Sequence, residues 1–313
     1  MAAEAPLEAA RGTLRVLPEV TIAQRTGRAV VALESSVLAQ GLPVPANREA
    51  AQRMRDAAMR RGAIPAITGV VGGAPSCGLR EEDLERFLAR DGVRKVSARD
   101  LGAAVAQGAD GATTVAASLV LARAAGIDVF ATGGIGGVHR GAPFDESADL
   151  LELSRIPMVV VCAGAKAILD LHATMERLET LGVPVIGYRT HELPGFFTAS
   201  TGIALSSAAD SVAEIVRMYR ARRSLGQGGA LLIVQPPPPE HALSRSGVED
   251  AVARALEKST ALGVSGSGLT PFLLGEIDRL TAGGSLGANL ALLERNADLA
   301  AEIAVALLEP GRG

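Results

Sequence analysis

Residues 157–171 read PMVVVCAGAKAILDL, an apolar, β-branched run that reaches Gly164 and then Lys166. Lysine is among the side chains least often fully buried, because removing an ammonium from water is costly. Three readings are open for Lys166: an exposed surface charge, a phosphate contact, or a partly desolvated amine whose neutral form is the nucleophile of Schiff-base chemistry. Other reactive residue types gather at the ends of similar runs. RAVVALESS (28–36) ends in Glu34, Ser35 and Ser36; VRKVS (93–97) carries Lys95 and Ser97; DVFATGG (128–134) opens the loop TGGIGGVHRG. That loop holds five glycines in ten residues, beside Thr132, His139 and Arg140. Glycines let backbone N–H groups approach an anion, and arginine can clamp a phosphate through two bonds. A tight, close-packed loop is the plainer alternative. The loop is neither a dinucleotide fingerprint, for its third glycine is missing, nor a Walker loop, for it contains no G-K-[ST].

Two further stretches carry polar groups at helix starts. FDESADLLEL (144–153) places Asp145, Glu146 and Asp149 around Ser147. Acidic residues there either complement the helix dipole or, beside a phosphate loop, offer hard oxygen ligands to Mg²⁺ or Mn²⁺. GADGATTVAAS (108–118) reads as a turn feeding a helix at Thr113 or Thr114, whose N–H groups could meet an anion or simply be capped by the hydroxyls. A zinc site is not expected, since there is no HExxH, CxxC pair or close His pair.

The elements that must position these groups alternate in type. Strands are expected at 28–36, 63–71, 93–97, 128–134, 157–164, 184–190 and 230–236. Helices are expected at 47–62 from an Asn cap, and at 113–126, 165–182, 207–226 and 247–263. Strands that are apolar at nearly every position predict an α/β fold: a mostly parallel sheet with helices on both faces. The last 40 or so residues read as terminal helices packed back on that sheet, and residues 1–313 as one domain. In such a sheet ligands bind beyond the carboxyl ends of the strands, which is where the reactive residues collect.

Composition narrows the classes. The chain has 313 residues, 48% hydrophobic and 21% charged, with a formal net charge of -3. No nucleic-acid or membrane partner is expected from that balance. Aromatics are 3% and Trp is absent, which argues against base-stacking platforms. Two cysteines, Cys77 and Cys162, make no disulfide framework. The N-terminal residues lack a basic start followed by an apolar block, so a cytoplasmic protein is expected.

Laid end to end, the segments VALESSVLAQGLPVPAN, KVSARDL, DGATTVAAS, VFATGGIGGVHRGA, SADLLEL, VVCAGAKAILDL, VPVIGYRTHELPGFF, LTPFLL and SLGANLAL resemble the pseudouridine-5′-phosphate glycosidases over nearly the whole chain. Ser36 stands where that family often has Thr. The resemblance implies reversible cleavage of pseudouridine 5′-phosphate into uracil and ribose 5-phosphate by a trimer-forming α/β enzyme with one Mn²⁺ per subunit, Mg²⁺ being the alternative. It implies Glu34 as proton donor, Lys166 as covalent nucleophile and Asp145 as metal ligand. It also implies Lys95, Val115 and the segment Ser147–Ala148–Asp149 as substrate-binding positions, with Thr132, His139 and Asn289 expected in the pocket.

A carbon–carbon glycosidic bond makes sense of that set. Carbon is a poor leaving group, so two carboxylates acting as in ordinary glycosidases do not suffice. An amine bonded to C1′ of a ring-opened ribose can stabilise the reacting carbon as an iminium. A carboxylic acid with a raised pKa can then protonate the uracil carbon. The competing readings are a lysine-dependent sugar-phosphate aldolase and a non-catalytic sugar-phosphate-binding regulator.

Overall fold

The computed structural model describes residues 14–141, 144–264 and 268–309. Seven strands run parallel in the order β3 (Ile64–Val71), β2 (Val30–Leu33), β7 (Val129–Ala131), β9 (Val159–Cys162), β13 (Leu231–Val234), β11 (Val185–Tyr188) and β12 (Ser207–Ala209). β2, β9 and β13 are buried at all four of their positions. An alternating strand would show one wet face; these runs show none, so both faces of the sheet are covered, as the apolar sequences predict. Beyond β3 the sheet turns antiparallel. β4 (Ala74–Cys77) and β6 (Gly111–Thr113) both pair antiparallel with β3; β1 (Arg15–Val16) extends β4, and β5 (Arg94–Val96) extends β6. β8 (Val138–His139) and β10 (Leu169–Asp170) form a separate two-stranded ribbon.

The strand order places the site. β2 leads outward to β3, whereas β7 lies on the other side of β2. The direction of winding therefore reverses between β2 and β7, and a crevice opens beyond their carboxyl ends. The 25-residue helix Gly284–Leu308 lies across β2, β7 and β9 and against the helices Ala46–Arg60 and Val212–Ser224. Its alanines 288, 297, 300 and 301 are buried and let it approach closely.

Four local expectations change, one being that residues 207–209, expected to open a helix, pair with β11 as β12, so that helix begins at Val212. The helix expected from residue 165 begins only at Leu171, capped by Asp170, whose carboxylate accepts the Ala173 N–H at 2.9 Å. Lys166 thus stands in a turn ahead of the ribbon strand, because Leu169 pairs with His139 instead of entering the helix. Residues 111–113, expected as a turn, are drawn into the sheet as β6. Asn47 is not the cap of its helix: the helix starts at Ala46, and the fully buried Asn47 amide donates to Leu38 O at 3.0 Å and Leu88 O at 2.9 Å.

Candidate active site

Glu34 leaves β2 at the switch point and is 3% exposed. Thr132, at the end of β7, donates its hydroxyl to Glu34 Oε1, and Ser36 donates to Oε2 at 2.7 Å. Burial is the dominant influence on this carboxyl and pushes its pKa up. The Lys166 charge and the two hydroxyl donors oppose the rise without cancelling it, and Asp149 adds to it. A carboxyl so placed retains its proton more readily than a surface glutamate and can act as an acid.

Lys166 is half-buried at the end of β9. The path from strand to lysine is zipped to the glycine loop. Ala163 N–H donates to Gly133 O at 2.9 Å, Ile135 N–H to Gly164 O at 3.1 Å, and Lys166 N–H to Ile135 O at 3.1 Å. Gly164 has φ +88, and a Cβ there would sit 2.6 Å from Pro194 O, so only glycine allows this turn. Arg140 donates to Leu169 O at 3.0 Å and Ala167 O at 3.3 Å, so it braces the same turn from the far side. Lys95, on β5, enters the cleft from the antiparallel wing. The Lys95 side chain as a whole is exposed, yet crowding of its ammonium by the cleft, followed by the Lys166 charge, lowers its pKa against the pull of Glu34 and Asp149.

One cleft gathers Glu34, Lys95 and Lys166, together with Ser36, Gly133, Gly134 and Asn289. Sequence reasoning did not single out its other walls: Val37, Gln40, Phe196, Thr270, Pro271 and Leu274. Gln40 and Thr270–Pro271 do lie inside the segments VALESSVLAQGLPVPAN and LTPFLL that carry the resemblance. They are apolar or neutral residues, so nothing in their type or local spacing marks them, and Phe196, Thr270, Pro271 and Leu274 are also remote in the chain from Glu34 and Lys95.

The remaining expected site residues build the frame. Thr132 is completely buried and binds Glu34. Ser147 caps the helix Ala148–Arg155 by accepting the Asp149 N–H at 3.2 Å. Asp149 is buried and accepts the N–H of Ala116 at 2.9 Å and of Gly136 at 2.8 Å, fastening the glycine loop to the start of the helix Val115–Ala124. The Val115 side chain is in the core. Ala116 N–H goes to Asp149 and Ala117 N–H to Thr114, so among the described residues the Val115 N–H is the one in that first turn without a protein acceptor. Ala148 opens the next helix behind it.

Asp145 and His139 stand together outside the lined cleft: His139 Nδ1 lies 3.1 Å from Asp145 Oδ2, and the aspartate side chain is 57% exposed. Glu146 turns away to Arg177, at 2.8 Å. Among the described residues no three Asp, Glu, His or Cys side chains form a cation cage. A single accessible carboxylate suits a hard divalent ion that keeps most of its water, as Mg²⁺ does and as Mn²⁺ can.

Comparison with known proteins adds to this geometry. A family model described as indigoidine synthase A like protein matches residues 19–306. A pseudouridine-5′-phosphate glycosidase of Gemmatimonas aurantiaca is 61% identical over 295 residues, covering 94% of this chain and 96% of that protein. One of Chloroflexus aurantiacus is 51% identical over 304 residues, covering 95% and 100%. Among solved structures, a prealnumycin C-glycosynthase in complex with ribulose 5-phosphate superposes with a TM-score of 0.87 at 38% identity, covering 94% of this chain and 97% of that one. An indigoidine synthase A-like protein of Thermotoga maritima gives 0.87 at 37%, covering 95% and 97%.

Proposed function

Because the chain belongs to the indigoidine synthase A like family, among its pseudouridine-5′-phosphate glycosidases, we propose that it reversibly cleaves the C–C glycosidic bond of pseudouridine 5′-phosphate to uracil and ribose 5-phosphate. The observation that carries this reading is the convergence of Glu34 and Lys166, which follow the ends of β2 and β9, with Lys95 of β5 on one cleft at the switch point.

In the proposed sequence the lone pair of the Lys166 amine bonds to C1′ as the C1′–O4′ bond breaks, and the proton that the nitrogen then loses goes to the ring oxygen. The nitrogen lone pair then forms the C1′=N bond as the C1′–C5 bond breaks. The electron pair of that bond leaves on uracil C5, where the Glu34 carboxyl delivers its proton. Water hydrolyses the imine and releases ribose 5-phosphate. Lys95 and the Val115 N–H serve the phosphate, a remote handle that holds the opened sugar in register. His139 and Asn289 border the substrate. Asp145 would hold a hydrated Mn²⁺ or Mg²⁺, whose contribution when bound is to orient water and polarise ligand oxygens.

We read the working protein as a single-domain, cytoplasmic homotrimer. Support for a non-membrane enzyme is that, among the described residues, no helix is long and apolar enough to cross a bilayer.

The test is mass spectrometry of protein incubated with pseudouridine 5′-phosphate, Mn²⁺ and borohydride, with Lys166→Ala as the comparison. A sugar-phosphate adduct on Lys166, absent in the variant and accompanied by uracil, is expected. An adduct without uracil would point to a lysine-dependent aldolase, and no adduct and no turnover to a binding regulator. Uracil release by Lys166→Ala would overturn the covalent step.

A further inference from the structure

The cleft carries two polar groups that the bond-breaking chemistry leaves idle. Gln40 and Asn289 both line it, at the wall it shares with an adjoining pocket that Arg90, Asp278 and Ser285 border. Gln40 Oε1 and Asn289 Oδ1 are buried without a hydrogen-bond partner, and they are the only side-chain nitrogen or oxygen atoms in that state among the described residues. Buried polar atoms are almost always paired, because an unpaired one loses its water for nothing in return. Two such atoms, from the turn Val37–Gly41 and from the long C-terminal helix, in the same cleft, point to a ligand that supplies the missing donors.

The direction of the Gln40 amide is set by its neighbour. Its Nε2 donates to Val93 O at 3.3 Å. A backbone carbonyl only accepts, so flipping the amide would break that bond and set two acceptors face to face. Oε1 is therefore a committed acceptor. Val93 lies two residues before Lys95, so the same amide also ties the turn after Glu34 to the strand that carries Lys95. On the Asn289 side, the glycine loop comes close: a Cβ on Gly133 would lie 3.5 Å from Asn289 Oδ1.

We propose that Gln40 is a specificity-determining residue: its Oε1, with Asn289 Oδ1 in the same cleft, accepts a ring N–H of the pyrimidine and selects a C-linked over an N-linked base. This rests on the substrate proposed above. A uracil joined through C5 retains two ring N–H donors, N1–H and N3–H, and so can satisfy two acceptors. A uracil joined through N1 retains only N3–H and strands one acceptor. Discrimination by a missing donor is strong because the buried partner is left without a bond.

The test combines Gln40→Met, which keeps length and volume but removes the acceptor, with pseudouridine 5′-phosphate and its N1-methyl and N3-methyl analogues. In the wild type, methylation of the nitrogen read by Gln40 is expected to lower kcat/KM about 10- to 100-fold. Gln40→Met should lose a similar factor on the unmethylated substrate and lose little more on that methylated one. Borohydride trapping of ribose 5-phosphate alone, which has no base to read, should persist in the variant. Losses that simply multiply for both analogues would overturn the assignment, as would loss of trapping in Gln40→Met, which would make the residue a scaffold element. No uracil from the unmethylated substrate in the wild type would instead remove the substrate reading, and this inference with it.

Discussion

Replacing Thr132 by Val tests the link between the geometry around Glu34 and its chemistry. Valine keeps the shape at a completely buried position and removes the hydroxyl that donates to Glu34 Oε1. That donor favours the ionised carboxylate and holds the Glu34 pKa below where burial alone would put it. A hydrogen bond to a charged group contributes about 1.5–3 kcal/mol, which is roughly 10- to 150-fold in the proton equilibrium. The Ser36 bond at 2.7 Å remains, so the carboxyl keeps one donor and the effect belongs at the lower end. Loss of the Thr132 donor raises the pKa further. If protonated Glu34 is the acid, the alkaline limb of the kcat/KM profile for uracil release moves to higher pH. The stability sign follows from the same equilibrium. A carboxyl whose folded pKa is raised contributes stability below the ordinary carboxylate range, and that contribution fades as pH rises through the folded pKa. Wild type and Thr132→Val should therefore melt similarly in acid and diverge above that window, with the variant the less stable. An alkaline limb that stays still or moves down, or a Tm difference independent of pH, would refute the reasoning.

Gly136→Ala would place a Cβ 2.2 Å from Ser147 Oγ and 2.9 Å from Asp149 Oδ2. The cap and the loop clamp must shift together, with about 1–3 kcal/mol of destabilisation by denaturant titration and loss of uracil release. Asn296→Leu removes an amide that donates to Thr132 O at 2.8 Å and accepts from Gln235 Nε2 at 3.0 Å. Thr132 O loses this donor while Gln235 keeps its bond to Arg295 O, so roughly 1–3 kcal/mol of stability should go, read as a lower urea midpoint at unchanged m-value. Asp145→Ala should raise the Mn²⁺ concentration needed for half-maximal activity. Folding stability should stay within about 0.5 kcal/mol, because the side chain is mostly exposed; an unaltered Mn²⁺ titration would remove Asp145 as the ligand.

Much of the fold is legible in short windows. VVAL, VVVC and LLIV are apolar at successive positions, so no partner is needed to know that these strands are covered on both sides. Glu34 and Lys166 each follow such a run, and their place at strand exits needs only the local pattern. What the chain order conceals is which exits meet. Glu34 and Thr132 are joined by a hydroxyl across 98 positions, and that contact exists because β7 docks beside β2 while β3 goes to the other side. The start of the helix after Lys166, the burial of Asn47 and the clamp of Asp149 were likewise decided by hydrogen bonds to distant segments. Asn289 is expected in the pocket from the resemblance alone and Gln40 is not singled out; that their oxygens are unpaired becomes visible only once a turn and a terminal helix wall the same cleft. Burial pattern and residue type are written in about ten residues, because periodicity is a local property of the backbone. Desolvation, pKa and the pairing of polar atoms belong to the space a residue occupies, and that space is set by the order in which the strands pack.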